Sequence, residues 1–187
     1  MTDAAVQRRV IVGAVDYPDL CDHSAGLLVC ERLMTRDLGL RVLVEDLSFN
    51  PVAVAQRLQD EPAWARVIFV SAIARGLNPP GSITAYRWDG VLPDPEEVHR
   101  AVCDAVTGII HLDNTLIVAR QFQALPDMVC VVEIEPLEHE FGHELSPAVA
   151  AALEPACRCV TRLAHDDAYA ARLPLSPLGG LAAMSFT

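Results

Sequence analysis

Three β-branched runs, each separated from the next by a stretch of helical periodicity, limit most strongly what this chain can fold into. Arg9-Val10-Ile11-Val12-Gly13, Arg41-Val42-Leu43-Val44-Glu45-Asp46 and Arg66-Val67-Ile68-Phe69-Val70-Ser71-Ala72 each read as a short buried strand. After the first, a polar loop from Asp16 to His23 leads into AGLLVCERLMTRDLG. Its apolar residues recur at helical spacing up to Gly39, a residue suited to a C-terminal cap. After the second run, Pro51 stands where a helix through VAVAQRLQDE can begin. Strands alternating with helices pair in parallel through right-handed crossovers and carry helices on both faces.

The rest of the chain modifies this plan. The PPG turn before Ser82-Ile83-Thr84-Ala85-Tyr86-Arg87-Trp88 predicts a strand reached by a tight turn, hence an antiparallel edge. Residues 94–106 and 112–124 read as helices, and Met128 to Ile134 as another buried strand. Pro147 to Leu163 reads as a helix with Ser146 as its N-cap. The expectation is a three-layer α/β/α fold with a mostly parallel twisted sheet and one antiparallel edge strand. At 187 residues the length suits one domain, assigned to 1–165. Residues 166–187 lose periodicity and gain Pro and Gly, the composition of a loosely held tail.

Charge and cysteine usage narrow the function classes. A net charge of −11 argues against nucleic acid, which needs a Lys/Arg surplus on some face. The opening MTDAAVQRRVIVGAV has no apolar stretch of signal-peptide length, and no run approaches the ~18 apolar residues of a membrane span. A cytoplasmic protein without membrane contact is expected. The six cysteines form no CxxC pair, which fits buried free thiols in a reducing compartment. Cys157 and Cys159, two apart on a helix, point in different directions and make a poor chelate.

Ligands of a parallel α/β sheet gather beyond the carboxyl ends of the strands. The first strand delivers Asp16, Asp19, Cys21, Asp22 and His23 there, the second Glu45, Asp46 and Ser48, the third Ser71; His111 and Asp113 precede a later helix. Imidazole with carboxylate suits nickel, zinc, cobalt or iron. Spacing alone favours the plainer reading, acids that cap helices and histidines that bond locally. His139 and His143 are four apart, but Pro136 and Gly142 make that stretch a loop. GxGxxG, GxxxxGK[ST] and GxSxG are all missing, which removes the usual signatures of nucleotide binding and serine hydrolysis.

Four segments in order, across about residues 9–163, resemble the nickel-iron hydrogenase maturation endopeptidases. VIVGAVDYPDLCDHSAGLLVCERL is similar to their opening strand, paired-acid loop and helix begun near a glycine. VIFVSAIARGLNPPGSITAYRW resembles the strand ending in aspartate-alanine with its Pro-Gly turn and edge strand. HLDNTLIVARQFQALPDMVCVVEIEP resembles the histidine that opens a helix and the following strand, and FGHELSPAVAAALEPACRCV the serine-proline step and final helix.

The resemblance implies a role in cutting a C-terminal extension from a nickel-iron hydrogenase large-subunit precursor, with nickel read as part of substrate recognition. Of its ligand positions His111 matches the family histidine, and the expected active arrangement is a metal held by His23 and His111 beside a carboxylate such as Glu45 or Asp22, in a monomer. His23 stands where the family has an acid and Ser71 where it has an aspartate. The turn Glu45-Asp46-Leu47-Ser48-Phe49-Asn50 lacks the family's glycines. Two readings compete with active cleavage: a non-catalytic relative that binds the precursor or another partner as an assembly factor, and a small-molecule hydrolase on a similar sheet.

Overall fold

Hydrophobic alternation builds the centre of the molecule. In the computed structural model, which describes residues 9–60, 64–179 and 184–186, strands β1 (Val10–Ala14), β2 (Val42–Asp46), β3 (Arg66–Ala72) and β5 (Val129–Ile134) lie in parallel in the order β2-β1-β3-β5. Strand β4 (Ile83–Trp88) runs antiparallel to β5. Side chains of period two sort to opposite faces. Val12, Ile68, Val70 and Val132 enter one core with helices α1 (Ala25–Met34) and α5 (Pro147–His165). Ile11, Val67, Phe69 and Val131 enter the other with α2 (Pro51–Gln59) and α4 (Leu112–Gln121), against which α3 (Pro95–Thr107) packs. Three layers and a mostly parallel sheet result, as the sequence pattern implies.

Local chemistry sets the element ends. Gly13 lets Leu47, just after β2, pack directly on β1, since a Cβ there would lie 2.3 Å from Leu47 Cδ1. Asn50 caps α2 by accepting from the Val52 amide, with Pro51 at the first helical position. Asp94 caps α3 and Ser146 caps α5. Helix α1 stops at Thr35, short of Gly39, which takes its φ of +73° in the turn into β2 instead. Five cysteines are buried free thiols, whereas Cys103 is exposed.

Two expectations change. Strand β4 is not an edge, because β6 (Leu175–Ser176) and β7 (Met184–Phe186) pair along its outer side. The stretch read as a loosely held tail supplies those strands and α6 (Asp167–Ala171); its residues 180–183 and 187 lie outside the described ones. Unpaired strand edges recruit backbone donors and acceptors. Pro174 and Ser176 carbonyls accept from the Arg87 and Asp89 amides, and the buried Arg66 guanidinium reaches the Leu163 carbonyl and Asp167. A two-residue strand is too short for periodicity to reveal. Among the described residues no single helix is long and apolar enough to cross a membrane.

Candidate active site

The carboxyl ends of β1 and β3 meet the first turn of α1 around one buried carboxyl. Asp16 is 3% exposed; its Oδ1 accepts from the Ala72 amide and the Ser71 hydroxyl, both at 2.8 Å, and its Oδ2 from the Gly26 amide at 2.6 Å. Such closeness is why a glycine stands at 26, in the first turn of α1: a Cβ there would stand 2.5 Å from Asp16 Oδ2 and 2.7 Å from the Val70 carbonyl. Burial pushes the Asp16 pKa up to about 8, against the pull of the Ala72, Ser71 and Gly26 hydrogen bonds. Ser71 thus points at Asp16 and at the Val15 carbonyl, 2.7 Å away.

Above this carboxyl lies a pocket of about 190 Å³ lined by Asp16, Tyr17, His23, Ser71, Ile73 and His111, among others. Both histidines singled out from sequence therefore come together, from loop and helix 88 residues apart in the chain, the difference between 111 and 23. They present opposite chemistry. His23 Nδ1 lies 3.2 Å from the Ala72 carbonyl, which can only accept, so the proton is on Nδ1 and Nε2 keeps a bare lone pair. His111 caps α4, its Nδ1 accepting from the Asp113 amide at 3.2 Å, which places the neutral ring's proton on Nε2. Burial, then the neighbouring His139 ring, holds the His23 pKa below its ordinary value, so its lone pair is available at neutral pH.

His139 joins from the loop between β5 and α5, its Nδ1 2.6 Å from His23 Nε2. Two backbone bonds staple this loop to the β1–α1 loop: the Cys21 amide donates to the Gly142 carbonyl at 2.8 Å, and the Gly142 amide to the Asp19 carbonyl at 2.9 Å. Asp19 and Cys21 take φ of 62° and 43° there, a left-handed strain that the staples hold. Asp22 fixes the same loop from beneath. Fully buried, it accepts from the Leu137, Glu138 and Ser146 amides and the Ser146 hydroxyl at 2.8–3.0 Å. Its oxygens are committed to backbone and hydroxyl donors. His143, also on the loop, faces the exposed Asp19 instead.

Glu45, the other carboxylate singled out, stands apart from the pocket lining. It holds Arg57 through two hydrogen bonds, 2.9 and 2.6 Å, on the outer side of β2. What the sequence reading lacked is the cluster that fixes His111. Arg75 grips Asp113 with two 2.8 Å bonds and Glu133 with a 2.7 Å bond, and Tyr86 donates to Glu133 at 2.8 Å. Burial lowers the Arg75 pKa, but the Asp113 and Glu133 partners outweigh it and raise the net value. Glu133 interrupts an apolar strand pattern, a signal that a buried partner exists without saying which. Among the described residues no group of three or more His, Cys, Asp or Glu side chains is arranged to hold a metal ion.

No sequence-family model and no curated protein sequence matches the chain. Solved structures do. The hydrogenase maturating endopeptidase HybD of Escherichia coli shares 26% identity at a TM-score of 0.59, over 81% of this chain and 89% of that one. A hydrogenase 2 maturation peptidase from a Thaumarchaeota archaeon shares 23% identity at 0.58, over 82% and 95%. The nickel-iron hydrogenase maturation protease HycI of Thermococcus kodakarensis shares 21% identity at 0.58, over 86% and 94%.

Proposed function

We propose that this chain, which has the fold of the nickel-iron hydrogenase maturation endopeptidases, processes the C-terminus of a hydrogenase large-subunit precursor. The observation that carries the reading is structural: the solved structures it matches across four fifths of its length or more, HybD and HycI among them, are maturation endopeptidases. The pocket lies where an open α/β sheet places its ligands, beyond the strand ends.

Nickel enters this reading as part of the precursor and supplies recognition. The donor set fits a borderline cation such as nickel and not a hard one, because the pocket offers imidazole and holds its carboxyl in a closed hydrogen-bond set. His23 offers Nε2 once His139, whose Nδ1 lies 2.6 Å away, gives up that contact. His111 ligates through Nε2 only if Nδ1 takes the proton and gives up the Asp113 cap, a cost of about 1 kcal/mol; capped, it donates its Nε2 proton to the precursor. Arg75 keeps α4, and so His111, at a fixed place across from His23. Asp22 acts by holding the loop that closes over His23.

The test is incubation of the protein with nickel-loaded large-subunit precursor, following the precursor's mass, with metal-free precursor beside it. Loss of a C-terminal peptide from the loaded precursor alone is the expected result. A stable complex without cleavage would replace this reading with that of an assembly factor. Neither cleavage nor binding would overturn both.

A further inference from the structure

We propose that His139 pairs with His23 as a two-imidazole site for a borderline divalent cation, the β5–α5 loop supplying the second ligand. The first support is the tautomer. An imidazole that binds a metal usually donates its second nitrogen's proton to a carbonyl or carboxylate, and His23 is held that way by the Ala72 carbonyl. Its unprotonated Nε2 points at His139 Nδ1, 2.6 Å away, with the ring centroids 4.8 Å apart and the planes tilted by 42°. The rings meet through their nitrogens and not face to face.

The spacing suits a shared cation after a small movement. A metal about 2.0–2.1 Å from each imidazole nitrogen keeps the two nitrogens roughly 3 Å apart or a little more. His139 is exposed on its loop, so it can retreat by the few tenths of an ångström required. The loop's base is nevertheless held in place: Asp22 accepts from the amides of Leu137 and Glu138, the two residues before His139, and Gly142 is stapled to Asp19 and Cys21. Asp22 is therefore a positioning residue for the site. Glu138, Glu140 and Glu144 on the same loop are exposed carboxylates that favour a cation beside it.

Two imidazole ligands select nickel or copper, then zinc, over magnesium or calcium. They leave the other coordination positions to water or to groups of an incoming protein. In this respect the inference rests on the reading above, in which the metal arrives with the precursor. The competing arrangement is a plain hydrogen bond in which His139 donates to His23 and no cation binds.

Calorimetric titration with nickel chloride alone, and electron paramagnetic resonance with copper(II), separate the two. The wild-type chain should take up one equivalent of nickel, with copper signals showing coupling to two nitrogens. His23→Ala and His139→Ala should each weaken nickel at least tenfold and leave a single coupled nitrogen, while His143→Ala, on the same loop, binds as wild type. His139→Gln, a surface change on an exposed residue, serves as a second variant if the alanine protein misfolds. Unchanged nickel affinity in the His139 variants, or no uptake by the wild type, overturns the site. Because the titration contains no precursor, its failure leaves the cleavage assay standing, and failed cleavage with intact two-nitrogen binding would remove the proposed function but not the site.

Discussion

Asp16 and Asp22 sit six residues apart at the two ends of one loop, both buried, and the fold treats them in opposite ways. Asp16 lies at the inner end, between β1, β3 and α1, where burial dominates three donors and its pKa rises to about 8. Asp22 lies at the outer end beneath a single layer of exposed loop. Burial raises its pKa too, but the amides of Glu138, Leu137 and Ser146 and the Ser146 hydroxyl prevail, and the net value falls. Neither has a cation in hydrogen-bond contact. The difference is in the depth: hydrogen-bond donors surround both, but they keep only the shallower carboxylate charged. Loss of exposure by an acid near a pocket therefore says little about its role until depth is weighed against donors.

The widest test of that contrast is pH. The Asp16 pKa moves from 3.8 to about 8 on folding, so the stability gained by burying its neutral form is complete below pH 4 and lost as pH rises toward 8. The loss runs at about 1.4 kcal/mol per pH unit and totals on the order of 5 kcal/mol. Urea midpoints across this range should therefore fall with rising pH in the wild type, and Asp16→Asn, neutral throughout, should flatten the slope. If both proteins keep the same slope, Asp16 is ionised in the folded chain and the contrast collapses.

Asp22 should respond on the other side of the scale. Its lowered pKa makes its contribution present above the unfolded value of 3.8 and lost as pH falls through the folded one. At neutral pH, Asp22→Asn turns an amide group toward amide and hydroxyl donors and leaves at least one of them unpaired, a loss of about 3 kcal/mol. Hydrogen exchange should locate the damage at Leu137, Glu138 and Ser146. A stability loss under 1 kcal/mol, with exchange unchanged there, would show that the loop holds itself without this carboxylate.

The sequence discloses the sheet better than the site, for a physical reason. Ile68, Phe69 and Val70 announce a buried strand because burial acts on every residue of the run, and period two survives in the letters. A hydrogen-bond set such as Asp22 with Ser146 spans 124 residues and leaves no local period. His23 and His111 were visible because strand ends and helix starts are where ligands gather. His139 carries no local signal, because its partner is not His143, four residues on, but His23, 116 residues back. The docked strand β6 was invisible for the opposite reason: two residues carry too little pattern.

Glu45 offers the smallest effect and the sharpest control on the contrast between the two aspartates. It is a carboxylate at a strand end like them, but about a quarter exposed and paired with Arg57 rather than with amides. Ion pairs at that exposure contribute up to about 1 kcal/mol, and salt screens them. Glu45→Gln should therefore shift the urea midpoint slightly, by an amount that shrinks in high salt. It should leave precursor cleavage within twofold of wild type, since Glu45 does not line the pocket. A tenfold or larger fall in kcat at unchanged stability would bring Glu45 into the reaction, and would mean that the precursor draws β2 and its following turn toward the histidines when it binds.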